Sequence, residues 1–136
     1  MKTLEELLEA ARQVRQHAHA PYSTFKVGAA VRGASGRIYT GCNIEISSYS
    51  HTCCAERVAV FKAVSEGERE LVACAVITDV SPPAPPCGAC RQVLHDFGPH
   101  MSVLMANTQG EQVQTQLTEL LPNAFTPDKV LEKLKH

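Results

Sequence analysis

Val103-Leu104-Met105-Ala106-Asn107-Thr108-Gln109-Gly110-Glu111-Gln112-Val113-Gln114-Thr115-Gln116 decides how the sheet of this chain ends. Residues 103–106 form an apolar run with strand character, Thr108-Gln109-Gly110 has turn chemistry, and residues 112–116 return as a second strand. So few residues separate the two runs that they must pair antiparallel, since a parallel crossover needs a dozen or more.

Working outward, residues 71–77 are an almost unbroken apolar run, the pattern of a strand buried on both faces. Ser81-Pro82-Pro83-Ala84-Pro85-Pro86 can be neither helix nor central strand, so it is a stiff loop. It leads into a helix over 88–97. Residues 54–65 have helical spacing through Ala55, Val58, Ala59 and Lys62, with Gly67 as a stop. Phe25, Val27, Ala29 and Val31 alternate before the turn Gly33-Ala34-Ser35-Gly36, and residues 37–40 complete a hairpin. A polar, irregular loop covers residues 42–52. At the N-terminus, Thr3 and Glu6 form a capping box for a helix carrying Leu4, Leu7, Leu8, Ala11 and Val14 on one face and ending by Pro21. Thr118 caps a short helical turn, and Thr126-Pro127 opens a tail helix. The expected architecture is one α/β domain over 1–136: a three-layer α/β/α sandwich with a mixed five-stranded sheet whose last strand is antiparallel.

A chain of 136 residues suits one domain with a hydrophobic core. The net charge is −1, with no block of Lys or Arg, which argues against a nucleic-acid partner and for a small ligand. Met1-Lys2-Thr3 leads into an amphipathic pattern rather than an apolar signal, and no run approaches membrane-spanning length. Six cysteines in such a chain are expected as reduced thiols or metal ligands, which points to the cytoplasm.

The chemistry is concentrated in Cys54-Ala55-Glu56-Arg57 and Cys87-Gly88-Ala89-Cys90. Both stand at predicted helix starts, where free N–H groups and the positive end of the dipole favour thiolates. Cys54, Cys87 and Cys90 suit zinc and leave a fourth tetrahedral position for water, the pattern of a catalytic site. Glu56, two residues from the first ligand, is placed to carry a proton without binding the metal. Three thiolates on a divalent ion leave one negative charge, so Arg57 and Arg91 are candidates to donate hydrogen bonds to sulfur and restore electrophilicity. Two other readings stay open. Cys87 and Cys90 could form a redox pair. A structural zinc site could instead take Cys42, Cys53 or His51 as a fourth ligand. Cys42, Cys53 and Cys74 read otherwise as small buried residues.

Cys54-Ala55-Glu56 and Pro86-Cys87-Gly88-Ala89-Cys90 resemble the zinc-deaminase signature H-x-E…P-C-x-x-C, with Cys in place of His. Ala20-Pro21-Tyr22-Ser23-x-Phe25, Gly41-Cys42-Asn43-Ile44-Glu45, Cys90-Arg91-Gln92-Val93-Leu94 and Leu120-Leu121-Pro122-x-Ala124-Phe125 are similar to free-nucleoside cytidine deaminases, and the likeness spans nearly the whole chain. The resemblance implies a small homotetramer with one zinc per subunit that converts cytidine and deoxycytidine to uridine and deoxyuridine. It further implies that Cys54, Cys87 and Cys90 hold the zinc. Glu56 would pass a proton from water to N3 of the ring. By the same resemblance Asn43 and Glu45 bind the ribose 3′-hydroxyl, Phe25 packs on the pyrimidine, and the backbone of Ala55 meets the base carbonyl. Tyr49 and Phe125 would reach a neighbouring subunit's pocket, so that active sites are shared. Phe25 and Phe125 can equally be core aromatics.

One departure stands out: the family usually continues Asn-Ile-Glu with Asn, whereas this chain has Ile46, followed by Ser47-Ser48. A deaminase of a modified nucleoside such as blasticidin S is therefore the main alternative. A polynucleotide deaminase is opposed by the near-neutral charge and the short 107–112 connection, and a non-catalytic zinc-binding member by the presence of Glu56.

Overall fold

The structure is a computed structural model and describes residues 2–128 and 131. The order is α1 (Lys2–Val14), β1 (Gly28–Gly33), β2 (Ile38–Cys42), α2 (Ala55–Ser65), β3 (Leu71–Thr78), α3 (Gly88–Phe97), β4 (Ser102–Asn107), β5 (Gln112–Gln116) and α4 (Leu117–Leu120). Two short 3₁₀ turns, Arg15–His17 and Tyr49–His51, interrupt the connections. The five strands lie in the order β2-β1-β3-β4-β5. β3 and β4 pair parallel across the α3 crossover, and the other neighbours pair antiparallel, including the final β4–β5 hairpin. The mixed sheet and the antiparallel last strand are as expected.

Strand periodicity builds the layers. Cys74, Val76, Val103 and Met105 point to one face, where they pack with Ala55, Ala59 and Val60 of α2 and Leu94 of α3. The alternate residues Ala73, Ala75, Ile77, Leu104 and Ala106 point to the other face, against Leu7, Leu8 and Ala11 of α1. Successive strand side chains face opposite ways, so two unbroken apolar strands require cover on both sides. Small residues on the α2 side let that helix lie close. A Cβ on Gly41 would sit 2.5 Å from both the Ala55 carbonyl oxygen and the Ala59 nitrogen. Only hydrogen fits there, and the close approach fixes the start of α2, where Cys54 and Glu56 lie.

The turn after β4 also holds the proline loop. Asn107, 1% exposed, donates Nδ2 to the Val80 carbonyl (3.0 Å) and to Glu111 Oε1 (2.7 Å). Its Oδ1 accepts the backbone N–H groups of Gln109 (3.1 Å) and Glu111 (3.0 Å). A buried amide with both ends satisfied can pin a loop, because freeing any partner leaves a desolvated polar group.

Several boundaries differ from expectation. The strand expected from Phe25 starts at Gly28, because the Asn43 side chain takes over the pairing ahead of it: Val27 N–H donates to Asn43 Oδ1 (2.9 Å), and Nδ2 donates to the Phe25 carbonyl (2.7 Å). β2 runs to Cys42 rather than Thr40. α1 ends at Val14, well before Pro21, because the chain turns to exchange backbone bonds with the 43–45 loop, His19 N–H to Asn43 and Glu45 N–H to His19. Thr118 lies inside α4 instead of capping it, since Leu117 is drawn in by full burial and a bond from its N–H to Met101. The Thr3 side chain of the expected capping box and most of the expected tail helix lie outside the described residues.

Gly41→Ala is expected to destabilise the protein by about 1–3 kcal/mol, because the added methyl must push the α2 backbone away from the sheet. Urea unfolding of the two proteins measures this; equal stability would show that α2 is not held by that approach.

Candidate active site

Cys54 and Cys87 are the N-cap residues of α2 and α3, both with extended backbone and neither capping its helix through the side chain. Their sulfurs project in front of the two helices instead, 3.9 Å apart. Cys90 lies in the first turn of α3, where the two-residue gap returns its sulfur to the same side as Cys87. All three sulfurs fall within 4.8 Å of one another, in a group that includes no other His, Cys, Asp or Glu among the described residues. All six cysteines are free.

This donor set fits zinc. A tetrahedral ion with Zn–S bonds of about 2.3 Å requires sulfurs about 3.8 Å apart, which matches the observed 3.9 Å. The convergence of Cys54 with the Cys87-x-x-Cys90 pair favours a metal centre over a redox pair. The other possible fourth ligands stand apart: the converging donors include neither Cys53 nor His51, and His51 Nδ1 pairs with Ser48 Oγ at 3.0 Å. Cys42 and Cys74 are buried in the core.

The electrostatics favour charge at Cys54. Its thiol is lowered to about 5, first by a hydrogen bond from Cys90 and further by Arg57 and Cys87, against the opposing effect of burial. Cys90 moves the other way, chiefly because its proton is shared with the Cys54 sulfur. Arg57 donates Nη2 to Cys54 Sγ (3.6 Å) and to the Thr52 carbonyl (3.2 Å), while its buried Nε makes no hydrogen bond among the described residues. Arg91, expected at a sulfur, is used differently. It donates Nε to the Pro86 carbonyl (2.8 Å) and Nη1 to the Leu120 carbonyl (2.7 Å), bracing the residue before Cys87.

Glu56 is 5% exposed, and burial pushes its carboxyl up to about 7, with the charge of Cys54 adding to the rise and its own backbone hydrogen bond and Arg57 opposing it. A carboxyl near neutrality populates both forms at working pH, so it accepts and returns a proton more efficiently than an ordinary carboxylate.

These groups open into a cavity of about 280 Å³ lined by Phe25, Asn43, Glu45, Tyr49, Cys54, Ala55, Glu56 and Cys87, among others. The walls are mostly apolar with a few polar groups, as in a small-molecule site. Tyr49 lines the cavity of its own chain and meets Tyr22 edge to face, with centroids 6.3 Å apart. Phe125 does not line the cavity; it is 62% exposed, and its carbonyl accepts Gln92 Nε2 at 3.0 Å. Ile46 is 44% exposed and is not among the lining residues. Sequence reasoning missed Ser23, Thr52, Thr78, Ala84 and Pro85, which also line the cavity. Ser23 lay inside the quoted Pro21-Tyr22-Ser23 motif, and Ala84-Pro85 inside the proline run, but neither carried a chemical signal of its own.

A comparison with known families matches residues 1–106 to the cytidine and deoxycytidylate deaminase zinc-binding region. A cytidine deaminase of Sporosarcina psychrophila is 48% identical over 126 residues, covering 92% of this chain and 93% of the relative. One from Halalkalibacterium halodurans is 49% identical over 123 residues, covering 90% and 93%. The crystal structure of cytidine deaminase from Burkholderia pseudomallei superposes with a TM-score of 0.86 at 45% identity, covering 89% of this chain and 98% of that one. That from Mycobacterium tuberculosis superposes at 0.77 and 38% identity, covering 90% and 97%.

In metal-free protein, Arg57→Ala is expected to raise the first thiol titration by roughly one unit, because the Cys54 thiolate loses a charged donor. Thiolate ultraviolet absorbance as a function of pH reads this directly, and an unmoved titration would show that the contact does not tune Cys54.

Proposed function

The chain belongs to the cytidine deaminase family, and from that membership we propose that it hydrolyses cytidine and deoxycytidine to uridine and deoxyuridine with release of ammonia. The observation that carries this reading is the convergence of three thiols, two of them lining the cavity, with a buried, neutral-range carboxyl in the same wall. Cys54, Cys87 and Cys90 would hold the zinc, one ion per chain. Zinc at such a site acts as a Lewis acid and brings the pKa of a water molecule toward neutrality.

The chain's own residues do the rest. Glu56 takes a proton from the attacking water, delivers it to N3 of the cytosine ring, and carries the second water proton to the departing amino group. Its burial is what makes both halves of that transfer accessible near pH 7. Cys54, held as thiolate by its neighbours, keeps the metal in place without competing for the proton. Phe25 offers its ring, 36% exposed, to the base, and the first backbone N–H of α2, at Ala55, is available to the base carbonyl. The apolar walls keep bulk water from the reacting atoms.

Assembly as a homotetramer with shared active sites is the reading that accounts for the exposed aromatic rings of Tyr49, Phe61 and Phe125. Free thiols at the proposed metal site suit a reducing cytoplasm. No helix among the described residues is long and apolar enough to cross a membrane.

A spectrophotometric deamination assay tests the proposal. Zinc-replete protein is expected to deaminate cytidine and deoxycytidine, and Glu56→Gln is expected to keep its zinc while losing roughly 10³-fold or more in kcat. Absence of activity on both nucleosides in zinc-replete wild type would refute the assignment, and normal turnover by the variant would refute the role of Glu56.

A further inference from the structure

The polar side of the cavity is organised around Glu45, and the bonds that hold it assign a role to a neighbouring side chain. Glu45 is 4% exposed and lines the cavity. Its Oε1 accepts the backbone N–H groups of Tyr22 and Ser23, each at 3.0 Å, and its Oε2 accepts the Ser23 hydroxyl. An ionised carboxylate has about four acceptor positions, so these three bonds leave about one, on Oε2. Glu45 can therefore take a single further donor, and the Ser23 hydroxyl decides where the remaining lone pair points.

The same hydroxyl accepts the Phe25 N–H at 3.0 Å. The Phe25 carbonyl is held by Asn43 Nδ2 at 2.7 Å, so both backbone polar groups of Phe25 are bound by side chains rather than by a strand partner. Between Ser23 and Phe25 the backbone is strained: Thr24 has φ of 60°, a left-handed conformation that a β-branched residue rarely adopts. Such a residue persists only where its surroundings over-determine it. Here the Ala20 carbonyl accepts the Thr24 N–H at 3.0 Å on one side, and the bond from Phe25 N–H to Ser23 spans the strained residue on the other.

We propose that Ser23 is a positioning residue for substrate recognition: its hydroxyl couples the Glu45 carboxylate to the Phe25 backbone, so that one contact sets both the acceptor for a sugar hydroxyl and the ring that faces the base. This rests on the reading of the cavity as a cytosine-nucleoside site. Ser23 need not touch the nucleoside; it acts through Glu45 and Phe25. The Ser23 hydroxyl bonds Glu45 and the Phe25 N–H and neither a thiol nor Glu56, so its loss is expected to leave the metal centre in place.

The test compares wild type, Ser23→Ala and Ser23→Thr, all zinc-replete, on deoxycytidine and on 2′,3′-dideoxycytidine, which lacks the sugar 3′-hydroxyl. Ser23→Ala is expected to raise KM for deoxycytidine roughly tenfold, the loss of one charge-assisted hydrogen bond, with kcat within about twofold of wild type. Its preference for deoxycytidine over the dideoxy analogue should shrink by a similar factor, and Ser23→Thr, which keeps the hydroxyl, should restore both. On a Glu45→Gln background, Ser23→Ala should take little further from the preference for deoxycytidine over the dideoxy analogue, since that preference runs through the Ser23–Glu45 contact; if Ser23→Ala folds poorly, Ser23→Cys, which keeps the side-chain volume but offers only a weak donor, is measured in its place with the same expectation. Unchanged KM and preference in Ser23→Ala, or a full additional loss on the Glu45→Gln background, would overturn the proposal while wild-type activity leaves the functional reading standing. A wild type inactive on deoxycytidine and cytidine would overturn the functional reading, and this proposal with it.

Discussion

Two helix N-termini meet with their N-cap sulfurs 3.9 Å apart, and most of the molecule's design follows from holding them there. α2 and α3 lie on the same face of the sheet, so the meeting requires α2 to seat low on β2 and α3 to enter from the end of β3. Gly41 permits the first by leaving no Cβ beneath α2. The proline loop enforces the second. It is anchored at its start by Asn107 and at its end by Arg91, whose guanidinium holds the carbonyl just ahead of Cys87. Neither thiol caps its helix, so the free N–H groups of both first turns add their partial positive charge to the cluster. A metal centre of three thiolates needs that support, since it would carry net negative charge.

Across the cavity the same economy applies to polar groups. Asn43 and Glu45 are buried, yet both are committed to the backbone of residues 22–27 before any ligand arrives. A buried amide or carboxylate without partners would be costly, so using the pair to shape the loop removes that cost and presents the leftover lone pair in a fixed direction. Preorganisation of this kind reduces the ordering that binding would otherwise demand.

How much of this was legible in the sequence depended on whether the feature left a periodic or chemical trace. The unbroken apolar run of residues 71–77 announced a strand covered on both faces, residues 103–106 read as a further strand, and the α3 span agreed with its expected limits, because Gly88 and Gly98 bracket a well-patterned helix. The short Asn107–Gln112 connection carried the antiparallel last strand. The three thiols and Glu56 stood out by type and spacing. What stayed hidden was tertiary side-chain-to-backbone bonding: Asn43 standing in for a strand, Arg91 reaching Leu120, and Ser23 bridging Glu45 and Phe25. None of these has a period, and each joins residues that propensity treats separately.

Cys54, Cys87 and Cys90 are proposed to form an open, catalytic zinc site that no fourth protein ligand completes. Zinc K-edge X-ray absorption on the purified protein tests this most directly. An open site should show one zinc per chain with three sulfurs at about 2.3 Å and one oxygen at about 2.0 Å. Four sulfurs, or a nitrogen in place of the oxygen, would mark a closed structural site and contradict it.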